Sequence, residues 1–214
     1  MNKRLLWLGL ALGTGLILYT SSTPLEAIAS LTGLLSVWLT AREHIWAWPI
    51  GLVNVACFFY MFYDVKLYAD MTLQLFFFAL GLYGWIVWLS GRGDAKVRPT
   101  SRIARAEAGW LVLFLIAASV VWGFLLHRYT DASIPYADAL IAVLSLIAQY
   151  LLSKKVLENW YVWIVVDVLS IGLYAYKGLD AVAVLYVVYL GIATAGLFGW
   201  KAQYAIQRGG RTDG

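Results

Sequence analysis

Eight apolar segments separated by short polar turns take up most of this chain, at approximately 5–20, 25–41, 46–63, 67–89, 109–126, 134–152, 156–176 and 180–200. About 20 residues are needed to cross the hydrocarbon core of a bilayer as a helix, so the first two segments are short and the later ones better matched. Composition agrees, at 62% hydrophobic and 13% charged residues, where a soluble domain is closer to half apolar and a quarter charged. The expectation is an all-α integral membrane protein of seven or eight transmembrane helices, with residues 1–214 forming one transmembrane domain. The N-terminus has some signal-peptide character: Lys3 and Arg4 precede an apolar run, and Ala27-Ile28-Ala29 resembles a cleavage site. Cleavage there would cut into the second segment, well beyond the apolar run, so segment 5–20 reads as an extra helix.

The basic residues set an orientation. All but Lys66, Arg128 and Lys177 of the 16 Lys and Arg fall at the N-terminus or after segments two, four, six and eight. The positive-inside rule then places both termini in the cytoplasm of a cell or inner membrane. The stretch Ser90–Glu107 holds Arg92, Lys96, Arg98, Arg102 and Arg105 with Gly91, Gly93 and Pro99, and reads as a linker between two halves. The net charge of +4 is spread over loops, which argues against nucleic acid as a partner. Cys57 is the only cysteine and excludes an intrachain disulfide. His44 and His127 sit near segment ends outside any Cys/His cluster, so neither metal nor cofactor is expected.

Segments two to four and six to eight match at an offset of 112 residues: Arg42 with Lys154, Trp48 with Trp160, Leu67 with Leu179, Gly84 with Gly196 and Trp88 with Trp200. Units whose first helices lie four spans apart run the same way through the membrane. The expected plan is therefore a parallel repeat: a first three-helix bundle (25–89), a linker helix (109–126) and a second bundle (134–200), preceded by the extra helix. Transporters built from repeats place their sites at the repeat interface near the midplane.

Asp167 lies at the centre of an apolar segment, where a carboxylate costs about 2.5–3.5 kcal/mol even on insertion scales. Trp160, Trp163, Ser170 and Tyr174 share its helical face. An acid flanked by indoles suits a flat cationic ring. Asn54 and Gln74 are mid-membrane amides, and Asn159 and Gln149 lie toward segment ends. Trp85 shares a helical side with Gln74 and Gly81, and Tyr186 and Tyr189 need hydroxyl partners within their span. Asn54, Gln74, Trp85, Trp163, Asp167 and Tyr189 are expected to line one cavity. Trp38, Trp46, Trp88, Trp110 and Trp200, close to span ends, are expected to anchor the membrane interface.

The segments Trp48-Pro49-Ile50-Gly51-Leu52-Val53-Asn54, Lys66-Leu67-Tyr68-Ala69-Asp70-Met71-Thr72-Leu73-Gln74, Leu82-Tyr83-Gly84-Trp85 and Glu158-Asn159-Trp160-Tyr161-Val162-Trp163, leading into Asp167, together resemble the PnuC-type vitamin transporter family over roughly residues 25–200. The resemblance implies a SWEET-like pair of three-helix bundles. It also implies uptake of a vitamin precursor by facilitated diffusion, chiefly nicotinamide riboside, with thiamine and riboflavin carried by other branches. Phosphorylation inside the cell traps the substrate, so a cytoplasmic kinase is the implied metabolic partner, and homo-oligomers are compatible with the family. Its Asn-Trp-x-x-Trp element corresponds to Asn159, Trp160 and Trp163, and its polar pair to Asn54 and Gln74. Where nicotinamide riboside members have amides, this chain has Gly81 and Asp167, which leaves thiamine close behind nicotinamide riboside.

The resulting expectation is a gated uniporter in which a cationic ring stacks between Trp163 and Trp85. Asp167 acts as counter-charge, and Asn54, Gln74 and Asn159 bond the polar edge. A proton-coupled carrier using Asp167 is the rival mechanism. A retinal protein needs a mid-membrane Lys, and Lys66 and Lys177 lie at segment ends. An enzyme needs a second acid or nucleophile paired with Asp167, which the sequence does not offer.

Overall fold

The computed structural model describes residues 3–90 and 96–209, although the side chains of residues 3–6, 8–9, 68 and 69 are not described. The described chain is helical throughout: α1 (Lys3–Thr20), α2 (Pro24–Ala41), α3 (Ala47–Asp64), α4 (Tyr68–Leu89), α5 (Arg105–Tyr129), α6 (Pro135–Ser153), α7 (Asn159–Tyr176) and α8 (Asp180–Gly209). Each apolar segment read from the sequence becomes one helix. By length and composition alone α2, α4, α5, α6 and α8 can cross a bilayer. The 18-residue α3 and α7 carry the Trp, Tyr, Asn54 and Asp167 that lower their hydropathy. Of the orientation-setting basic residues, Arg92 and Arg211 lie outside the described residues, as do the side chains of Lys3 and Arg4.

Local chemistry fixes the helix ends. Thr23 accepts from the Glu26 amide while the Glu26 carboxylate accepts from the Ser22 amide, and Pro24 occupies the first position of α2. This reciprocal arrangement satisfies amides that a helix start leaves open. The turns repeat at the offset of 112. At one end Glu43 and Lys155 take φ values of 55° and 56°, and at the other Lys66 and Gly178 take 60° and 70°. The closing bonds repeat too: His44 N–H to the Leu39 carbonyl with Val156 N–H to that of Leu151, and Leu67 N–H to Phe62 with Leu179 N–H to Tyr174.

Six helices close into a ring, because α2 packs on α3, α3 on α4, α4 on α6, α6 on α7, α7 on α8 and α8 back on α2. Among the described residues the helix backbones do not meet across the ring, and side chains reach across it at Trp88 of α4 and Trp200 of α8. The two halves meet along two equivalent seams, α4 with α6 and α8 with α2. The extra helix α1 rests on α8 and α2, while α5 packs on α6 alone. On α5 the side chains of Trp110, Val112, Leu113, Phe114, Ile116, Val120, Val121 and Phe124 are exposed, as expected of a surface that faces lipid.

Tryptophans fill the basic end of the ring, which corrects the expectation that most of them anchor the interface. Trp88 and Trp200 are fully buried and Trp38 is buried, whereas Trp46 and Trp110 remain exposed. The reason is a pair of glycine notches. A Cβ at Gly84 would lie 2.1 Å from the Trp48 ring, and one at Gly196 would lie 2.7 Å from the Trp160 ring. Trp48 meets Trp88 edge-on at 5.3 Å, Trp160 meets Trp200 edge-on at 5.5 Å, and Trp88 and Trp200 touch at 5.7 Å. Trp88 Nε1 donates to the Leu152 carbonyl at 3.0 Å, and Trp200 Nε1 donates to the Thr40 carbonyl at 3.3 Å. Leu152 and Thr40 are themselves 112 residues apart, so the same bond is made once from each half.

Candidate functional site

The tryptophan layer is capped by an ion pair between repeat-equivalent residues. Lys155 Nζ donates to the Glu43 carboxylate at 2.7 Å and lies 4.7 Å and 5.5 Å from the Trp88 and Trp200 ring centres. Lys155 is 1% exposed. Burial pulls its ammonium below the ordinary value, while Glu43 opposes that shift. The linker joins this closure, as Ser101 exchanges backbone hydrogen bonds with Lys155 and Leu157. Arg98 N–H reaches back to the Trp88 carbonyl at 2.9 Å.

Farther into the ring, Asp167 sits mid-way along α7 and is 4% exposed. Among the described residues its carboxylate meets neither a cation nor a hydrogen-bond donor. The phenols of Tyr186 and Tyr189 on α8 lie within its electrostatic reach. Tyr186 stacks on Tyr174 at 5.3 Å and meets Tyr189 edge-on at 5.8 Å, with buried Ser170 beside it. Asn54 on α3 donates to the Ala29 carbonyl at 2.6 Å. A Cβ at Gly33 would meet Asn54 Nδ2 at 2.8 Å and the Tyr189 hydroxyl at 3.5 Å, so residues of both halves converge on one point of α2. At the end opposite the tryptophans, Lys177 donates to Asp138 at 2.7 Å with Asp70 nearby.

The structure thus brings Asn54, Tyr189 and Asp167 into one neighbourhood, and Tyr189 packs on the same apolar cluster as Trp85 and Trp163. Trp85 and Trp163 are half-buried and pack against the apolar cluster that contains the tryptophan layer. Trp160 belongs to that layer, its ring lodged on Gly196. Asn159 opens α7, where its Nδ2 donates to the Val156 carbonyl at 2.6 Å and its Oδ1 is buried without a described partner. Gln74 is half-buried on α4, which does not pack on α7. Two contributors escape a reading of the sequence as site residues. Gly33 is one glycine among 19, and only its neighbours distinguish it. Tyr186 does carry a signal, since it occupies the position of Gln74 in the repeat.

An all-helical ring of long apolar helices, sealed by tryptophans at one end and holding a buried acid, has the architecture of a multi-pass membrane protein. A family profile described as "Nicotinamide mononucleotide transporter" matches residues 23–202. The chain is 28% identical over 212 residues to the nicotinamide riboside transporter PnuC of Escherichia coli (strain K12), covering 87% of this chain and 88% of that protein. It is 29% identical over 211 residues to the protein of the same name from Neisseria mucosa, covering 91% and 79%. It is 28% identical over 178 residues to the riboflavin/roseoflavin transporter RibM of Streptomyces davaonensis, covering 82% and 83%. A crystal structure described as that of the vitamin B3 transporter PnuC shares the fold, with a TM-score of 0.73 and 24% identity over 94% of this chain and 90% of that one. The chain belongs to the PnuC-type family of membrane transporters and is a transporter, not an enzyme.

Proposed function

We propose that this transporter takes up nicotinamide riboside by facilitated diffusion, with Asp167 as counter-charge to the pyridinium ring. The observation that carries this reading is a buried carboxylate with no described partner, set among phenols inside a membrane ring. An uncompensated buried charge is costly, and a permeating cation offsets that cost while it is bound. Tyr186 and Tyr189 supply ring faces to the cation. Asn54, with Gln74 and Asn159, supplies polar groups for a ribosyl edge. Trp85, Trp160 and Trp163 act closer to the closed end, as the wall a substrate meets before it is released.

Transport follows from the two seams. The bundles, residues 25–89 and 134–200, rock about the contacts of α4 with α6 and α8 with α2, parting the tryptophan layer when the opposite end closes. With the basic end in the cytoplasm of the inner membrane, release occurs there, and phosphorylation by a kinase keeps the product inside. Thiamine is the second reading, because its thiazolium ring would meet Asp167 in the same way. Riboflavin lacks that charge, although a relative is named for it. Calorimetric titration of the purified protein with the three vitamins tests the proposal. Micromolar binding of nicotinamide riboside is expected; binding of thiamine alone would move the substrate, and binding of none would remove the vitamin reading. Flux that follows a pH gradient at a fixed substrate gradient would replace uniport by proton coupling.

A further inference from the structure

Beyond the tryptophan layer, at the basic end, a cavity of about 490 Å³ is lined by Arg42, Glu43, Lys96, Arg98 and Lys155, with Gln203 and Gln207 of α8. Among the described residues four cations face it against a single carboxylate, and Glu43 is already engaged by Lys155 at 2.7 Å. The Arg42 guanidinium stacks on Trp38 at 4.7 Å. Among the described residues the charges of Arg42, Lys96 and Arg98 meet no carboxylate. Elsewhere near this end Arg102 pairs with Glu158 and Lys154 with Glu107, while Lys201 and Arg208 lie over the Tyr161 and Tyr204 rings rather than converging on the cavity. Unmatched like charges around one concavity repel one another and favour a bound anion.

We infer that this cavity binds a phosphate-bearing anion, a small phosphomonoester whose phosphate is held by Arg42, Lys96 and Arg98 with the glutamine amides beside it. Guanidinium groups present paired donors that match phosphate oxygens. The volume falls within the range of small-molecule sites, which leaves room for the carbon skeleton that a bare ion lacks. The contributing residues come from the α2–α3 turn, the linker, the α6–α7 turn and α8, and so from both halves. A ligand that bridges them favours the arrangement in which they converge, with the tryptophan layer shut. Resting on the uptake reading for its physiological sense alone, this makes the site one where phosphorylated product restrains further uptake.

Thermal unfolding of the purified full chain, titrated with inorganic phosphate and with ribose 5-phosphate at constant ionic strength, tests the site. A saturable rise in Tm is expected with both probes and none with ribose. Replacing each cation in the variant Lys96→Gln/Arg98→Gln should weaken phosphate binding about tenfold per charge. The variant's vitamin affinity should not change. No saturable rise, or an equal rise in the variant, overturns the proposal. Repeating the titration in phosphatidylcholine nanodiscs with and without phosphatidylglycerol separates the sources of phosphate. A response kept in both supports the soluble ligand. Its loss in phosphatidylglycerol, together with an Arg98-dependent stabilisation by that lipid, overturns the soluble ligand in favour of a headgroup. Vitamin binding that persists without a phosphate response removes this site alone, and the opposite result removes only the vitamin reading.

Discussion

In the tryptophan layer the two halves contribute the same residues at the same positions: Trp48 and Trp160, Gly84 and Gly196, Trp88 and Trp200. Around Asp167 they do not. Its equivalent is Val55, that of Asn54 is Val166, and that of Tyr189 is Phe77. Closing a ring at a seam is a task of shape, and two like surfaces meeting across an axis perform it well. Holding a ligand that has one charged ring and one polar arm is a task without symmetry. The two halves are alike where closure needs it and differ around Asp167, where the proposed site lies.

The largest expected effect lies in the duplicated layer. Trp88→Ala removes a fully buried ring and its hydrogen bond to Leu152, and should cost about 3–5 kcal/mol, read as a lower unfolding midpoint in detergent. Trp200→Ala should cost a similar amount; a loss confined to one of the two would break the equivalence. Next is Lys155→Met, which strands Glu43 and should cost about 3 kcal/mol. Because both residues occupy one repeat position, the exchange Glu43→Lys/Lys155→Glu should recover at least half of that loss. An exchanged protein no more stable than the single variant would show that the seam is not symmetric in its electrostatics.

The matching exchange at the site should fail. Asp167→Val/Val55→Asp moves the carboxylate to the other half, and vitamin affinity should drop about 100-fold, as for a buried charge deprived of its partner. Asp167→Asn should lose a similar amount of affinity while unfolding at the same or a higher temperature, since it removes a buried charge without a described partner. Retained affinity in either variant would end the counter-charge role. The smallest effect is expected of Gly33→Ala. Its added methyl would lie 2.8 Å from Asn54 Nδ2 and in ordinary contact with the Tyr189 hydroxyl, so Asn54 alone must shift, and binding should weaken about threefold with little change in stability.

The sequence foretold the helices because hydrophobic runs bounded by charge leave little freedom in their reading, and α1 to α8 follow those runs closely. The repeat was equally legible, since Trp and Gly at a constant offset are seldom coincident with matching turns. What sequence could not convey was depth. Trp88 and Trp46 both lie near span ends, yet one is fully buried and the other exposed. The difference is made by Gly84, which admits the Trp48 ring to pack against Trp88. Asp167 was legible at once because its cost in lipid is large, whereas Gly33 costs nothing and so left no trace.

The linker helix α5 packs on α6 alone, while the halves meet through α4 with α6, α8 with α2, and α1 with α8. Among the described residues these contacts join the two halves without calling on the peptide that links them. Two polypeptides made separately, one ending at α4 and the other starting at Lys96, would each carry a full share of both seams and find one another in the bilayer. The two halves of this one chain thus face each other as partner subunits do, through paired surfaces.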